Sequence, residues 1–227
     1  MTGSERSVQR CVLVATAFGM VGLSQPVGAQ TMDHWSVGGG IRLLGAVPLG
    51  DLDAVHTGNV GPPLILFTTH SELAGSAGWQ VILGRRVAES LHVEATISIH
   101  PVTFTTRVTD DAEGADSTSA TERLTHVQAE GGVRWSPARW RLTPRTEVFA
   151  TAGGGYLRQL HAGRTLVETG RSFYLGGGVL RSMWRGARGR SVEARLDGRA
   201  VLLLRGVALD DRLRATPALS VAAQYRF

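Results

Sequence analysis

Ser98 and His100 lie two residues apart, with Glu94 four residues before Ser98, and His126 is followed two positions on by Gln128. Residues two apart on a β-strand share a face. Glu94, Ser98 and His100 could therefore supply a carboxylate, a hydroxyl nucleophile and a base. The same face carries further charged and polar residues, so a satisfied polar network is the simpler role. No residue is assigned as catalytic on this basis. His34, His56, His70 and His161 lack metal-ligand spacing. All 24 basic residues are arginine, which removes a Schiff-base lysine and a Walker lysine. The single cysteine, Cys11, falls in an N-terminal segment expected to be removed. No cofactor and no metal are expected.

Alternating segments must position these side chains. The first is Trp35 to Leu44, with Trp35, Val37, Ile41 and Leu43 against Ser36 and Arg42. The second is Trp79 to Val87, with Trp79, Val81 and Leu83 against Gln80, Gly84 and Arg86. The third runs from Leu91 and continues to Phe104 if Pro101 sits at a bulge or strand end. The others are Arg123 to Trp135, Thr146 to Leu157, Ser172 to Trp184, Ser191 to Leu203 and Thr216 to Phe227. These periods of two predict eight half-buried strands. The connections after strands one, three, five and seven are long: 47–76, 105–121, 158–170 and 205–215. Those after strands two, four and six are shorter, including 137–144. The glycine triplets at 38–40, 153–155 and 176–178 lie inside strands, with no following helix to make a phosphate cradle. Packing relief, curvature or bulges account for them.

Arg6 and Arg10 precede an apolar run from Cys11 to Leu23, and small residues lead to Gln30. This is the pattern of a secretory signal over 1–29, whose apolar run is too short to span a bilayer, which takes about 20 apolar residues. The expected mature domain is 30–227, with no disulfide and no spanning helix. The formal net charge is +5, but the arginines are spread along the chain and many alternate with apolar residues. No nucleic-acid partner is expected.

The last nine residues, Leu219-Ser220-Val221-Ala222-Ala223-Gln224-Tyr225-Arg226-Phe227, alternate strictly and end on an aromatic. This stretch resembles the closing strand of bacterial outer-membrane β-barrels, with Phe last and Tyr two before it. In layout the whole mature chain resembles the small OmpA/OmpX-type superfamily. The resemblance implies an all-β, eight-stranded antiparallel up-and-down transmembrane barrel in the cell outer membrane. It also implies a barrel-assembly signal of Leu219, Val221, Ala223, Tyr225 and Phe227. The implied partners are outer-membrane lipid, lipopolysaccharide and the barrel assembly machinery, with the protein a monomer. Ending on the last strand, the chain is expected to lack a peptidoglycan-anchoring domain.

An eight-stranded barrel is just wide enough for side chains to fill it. The polar faces then form a lumen network of Arg42, Arg86, Glu94, Glu130, Arg134, Glu147, Glu193, Arg195, Asp197 and Arg199. The aromatic girdle is Trp35, Trp79, Trp135, Tyr156, Tyr174 and Trp184. The faces alone would equally suit a soluble lipocalin-like barrel turned the other way, with charges outside and a ligand within. The closing strand and the two aromatic belts favour the membrane orientation. The expected function is non-enzymatic: structural, adhesive or surface-protective, carried by external loops, with Leu64-Ile65-Leu66-Phe67 in the longest loop as the partner-facing element. The alternatives are a narrow channel and a lipid A-modifying enzyme, whose family would pair a strand histidine with a lipid-facing serine.

Overall fold

The computed structural model describes residues 35–56, 64–109, 118–161, 166–205 and 213–227. The segment read as a signal, with Cys11 and His34, lies outside them. Apart from two 3₁₀ turns, Ala138–Trp140 and Ala187–Gly189, the regular structure is antiparallel β: β1 (Trp35–Leu44), β2 (Val47–His56), β3 (Leu64–Leu73), β4 (Ser76–Ala88), β5 (Leu91–Thr109), β6 (Thr118–Trp135), β7 (Arg141–Thr143), β8 (Thr146–His161), β9 (Leu166–Arg185), β10 (Ser191–Arg205) and β11 (Arg214–Arg226).

Eight of these strands close on themselves. β1 pairs with β4, then pairing runs through β5, β6, β8, β9, β10 and β11, which returns to β1. The seam is tight: Trp35 N–H donates to the Phe227 carbonyl at 3.1 Å and Phe227 N–H to the Trp35 carbonyl at 2.9 Å. Following the register from Trp35 through Arg85, Val93, Val133, Ala152, Leu175, Ala200 and Pro217 leads to the N–H of Gly45, ten residues further along the chain. That stagger tilts the strands and fixes the width of the closed wall. Where the eight strands pair around the wall, closure leaves them no free edge. No helix among the described residues is long and apolar enough to cross a membrane.

The end where Trp35 meets Phe227 is called terminal here, and the other end distal. At the terminal end β4 and β5 are joined by a two-residue turn and β9 and β10 by a short one, while the segment carrying β7 between β6 and β8 is longer. At the distal end the strands outrun their predicted ends. β5 continues to Thr109 and pairs with β6 as far as Val108↔Thr118. Threonine-rich sequence at 103–106 and 118–125 supports this, because β-branched side chains favour extended backbone whether or not lipid faces them.

The predicted loop 47–76 is instead mostly β2 and β3, a hairpin standing on the distal end. β3 borrows the edge of β5, from Thr68↔Thr109 to Leu73↔Phe104. Pro48, which suggested a loop, sits at the strand start beside a bulge, and Gly50, at φ 109°, takes the left-handed backbone there. His70 ties three strands together: Nδ1 meets Asp51 on β2 at 2.6 Å and Nε2 meets Thr109 on β5 at 3.2 Å.

Candidate functional site: the filled lumen and the distal hairpin

Alternation sends charged side chains inward and apolar ones outward. Arg42 enters from β1, Glu94 from β5, Glu130 and Arg134 from β6, Glu147 from β8, and Arg195, Asp197 and Arg199 from β10. They join end to end. Arg42 donates to both oxygens of Glu130, at 2.8 and 3.1 Å, and Arg199 donates to Glu130 at 3.2 Å. Asp197 accepts from Arg199 at 2.8 Å and from Arg195 at 2.7 Å. Arg195 reaches both oxygens of Glu94 at 2.9 Å, Arg134 donates to Glu94 at 2.8 Å, and Arg134 reaches Glu147 at 3.4 Å. Four guanidinium groups thus meet four carboxylates in one chain. Every side chain in it is at most 3% exposed except Glu147, at 25%. Burying so many charges is tolerable because each has an opposite partner within hydrogen-bond reach.

Aromatic rings pack against this chain. Phe149 lies between Arg195 and Arg134, whose guanidinium carbons are 4.7 and 5.6 Å from its centroid. Arg199 stands 4.6 Å over Tyr174. Glu193 belongs to a separate pair with Arg226, at 3.1 Å.

Two residues fall elsewhere than expected. Arg86 stays at the terminal turn and donates to the carbonyls of Ala88 and Glu89, both at 3.2 Å, apart from the ionic chain. Tyr174 is not in the girdle: it is buried inside. The physical reason is glycine. Gly132 and Gly153 face each other across β6 and β8, and a Cβ on either would meet the Tyr174 hydroxyl at 2.2 or 2.6 Å. Two absent side chains make the slot the phenol fills. Alternation along β9 carries the information, because Tyr174 and Phe173 cannot share a face.

Distal to the ionic chain the lumen changes character. His100 and His126 face each other at 6.1 Å between centroids, and neither ring has a hydrogen-bond partner among the described residues. Beyond them Leu44, Val47, Leu49, Leu73, Val102, Leu124, Leu157, Val201 and Leu203 form an apolar plug. Sequence reading missed this plug. It was legible in β10, where Val201 and Leu203 share the face of Arg199.

Outside, Trp35, Trp135, Trp184, Tyr225 and Phe227 ring the terminal end, while Trp79, Tyr156 and Phe173 stand further toward the distal end, all exposed. Between them the wall is aliphatic: Val37, Ile41, Val81, Leu83, Val93, Ile97, Leu196 and Val221. Trp79 is 72% exposed and Leu175 68%. A continuous apolar belt of this kind is not a surface that water tolerates. Leu219, Val221, Ala223, Tyr225 and Phe227 lie on the outward face of β11 within it. On the distal hairpin Leu64, Ile65, Leu66 and Phe67 are exposed in succession, on both faces of β3.

An apolar exterior around a buried ionic interior is the inverse of a soluble ligand-binding barrel. The chain is a small eight-stranded β-barrel of the outer-membrane type. No family model and no curated protein matches its sequence. Among solved structures, 86% of the chain aligns with 96% of the outer membrane protein OprG from Pseudomonas aeruginosa, at 10% identity and a TM-score of 0.49. The same share aligns with 99% of Ail, the attachment invasion locus protein of Yersinia pestis, crystallised with the heparin analogue sucrose octasulfate, at 12% identity and a TM-score of 0.42. It also aligns with 98% of the beta domain of the Bordetella autotransporter BrkA, at 13% identity and a TM-score of 0.32.

Proposed function

We infer that this protein is a non-enzymatic outer-membrane barrel that presents its distal hairpin at the cell surface for adhesive or surface-protective contact. One observation carries the membrane assignment: the outward face is a belt of aliphatic side chains bordered by aromatics, while the charges are buried within. In bacterial barrels the short turns face the periplasm, so the long distal end, with β2 and β3, faces outward. The surface role rests on Leu64 to Phe67, four apolar residues in a row exposed on the part of β3 that pairs with β2 beyond its ladder with β5. Such residues suit recognition of an apolar or extended partner.

The filled lumen speaks for a structural interior. Ser98, His100 and His126, the residues with enzymatic potential, all point into it, away from any lipid acyl chain outside the wall. Fractionation with gel electrophoresis before and after boiling tests the membrane reading: the protein is expected in the outer membrane, with a mobility that changes on heating. A soluble periplasmic protein with a single mobility overturns it. Replacing Leu64, Ile65, Leu66 and Phe67 with serine tests the surface role, and unchanged cell adhesion and serum survival would sink it.

A further inference from the structure

The terminal mouth holds a cavity of about 310 Å³ directly beneath the ionic chain, lined among others by Arg141, Arg145, Arg185, Arg190 and Arg226, with Glu147 and Glu193 the only carboxylates among the described residues of its lining. Both carboxylates are already engaged: Glu147 accepts from Arg134 at 3.4 Å, and Glu193 from Arg226 at 3.1 Å and Ser191 at 3.1 Å. Arg185 is tied to neutral acceptors, the Ser182 hydroxyl at 3.1 Å and the Pro144 carbonyl at 2.7 Å. Among the described residues no carboxylate pairs with Arg141, Arg145, Arg185 or Arg190. Four arginines with no carboxylate partner among the described residues therefore line one concave space. The balanced lumen above supplies none, because its four carboxylates are matched by four arginines.

We propose that this vestibule is a binding site for a phosphate-bearing anion of diphosphate or phospholipid-headgroup size. Guanidinium forks match phosphate oxygens two at a time, and a walled basic concavity concentrates anions more strongly than the same charges spread on a flat surface. The volume exceeds what a single phosphate fills and lies at the small end of ligand pockets, roughly 300–1,000 Å³. The hydroxyls of Thr143, Thr146 and Ser182 add neutral donors on the same lining. A soluble periplasmic anion and a headgroup of the inner leaflet offer the same chemistry. Only the lipid source depends on the membrane assignment above.

The test uses the full-length protein purified in a nonionic detergent and titrated calorimetrically with inorganic pyrophosphate. The triple variant Arg141→Gln, Arg145→Gln, Arg190→Gln is compared with Arg85→Gln, Arg139→Gln, Arg181→Gln, which removes equal charge at the same end outside the cavity. The wild type is expected to bind, the cavity variant about tenfold more weakly or worse, and the control as the wild type does. Repeating the titration in discs of phosphatidylcholine with and without phosphatidylglycerol separates the sources. Weaker pyrophosphate binding with phosphatidylglycerol present, in the wild type and the control, identifies the headgroup as the occupant, and equal binding identifies a soluble anion. No binding by the wild type in detergent or in phosphatidylcholine overturns the proposal, as does an equal loss in both variants. Should the triple variant not fold, Arg145→Gln alone, on an exposed turn, replaces it and is judged by the same loss of affinity.

Discussion

Glu94 is the residue on which the interior turns. It accepts from Arg134 and Arg195, so removing its charge leaves two buried guanidinium groups short of a partner. Breaking a buried pair in this way costs about 3–5 kcal/mol in proteins where it has been measured. Glu94→Gln is expected to lower the unfolding free energy by about that amount, read from guanidinium unfolding of the detergent-folded barrel. A loss below about 1 kcal/mol, the size of an exposed pair, would show that the chain of charges is loosely held. His126 makes the contrast. It is as deeply buried, but its ring nitrogens bond to no described protein group. Removing a polar group that has no protein partner leaves no new orphan behind. His126→Leu is therefore expected to leave the barrel at least as stable as the wild type in the same unfolding measurement. A loss as large as that of Glu94→Gln would give the histidine a structural role.

The strands differ in how much of the molecule depends on them. β1 and β11 form the closing seam, over nine paired positions from Ser36↔Arg226 to Leu44↔Ala218. Among the described residues β2 shares a ladder with β3 alone, and β3 joins the barrel sheet along the distal stretch of β5 alone. β1 already pairs with β4 without them. Replacing residues 50–69 with a short glycine-serine turn is therefore expected to leave a folded barrel with its heat-dependent mobility intact. A variant that no longer folds would make the hairpin part of the core rather than an appendage. Leu49 and Leu73, which join the apolar plug, lie outside the excised segment for this reason.

At the scale of the whole molecule, the lumen is closed twice over. The ionic chain crosses it from the terminal mouth, and the plug of Leu44, Val102, Leu124, Leu157 and Val201 seals the distal side. An eight-stranded wall encloses too little space for both of these and a water path. Planar-bilayer recordings of the wild type are expected to show no discrete conductance. Stable single-channel steps would mean that the plug opens.

Much of this was legible in the residues. Period-two alternation exposed the barrel strands, because a side chain's face is set by its position along an extended backbone and by nothing more remote. The residues of the ionic chain shared that legibility. Their partners did not: Arg42 finds Glu130 across 88 residues, and Arg195 finds Glu94 across 101. Only the stagger of the closed wall brings those positions to one height. The same closure brought two glycines from other strands against the Tyr174 hydroxyl, and gave β3 a stretch of β5 on which a proline-marked segment becomes a strand. Alternation is local and survives in the sequence. Register, height and the sign of the space enclosed are properties of the closed sheet, and only the tertiary structure determined them.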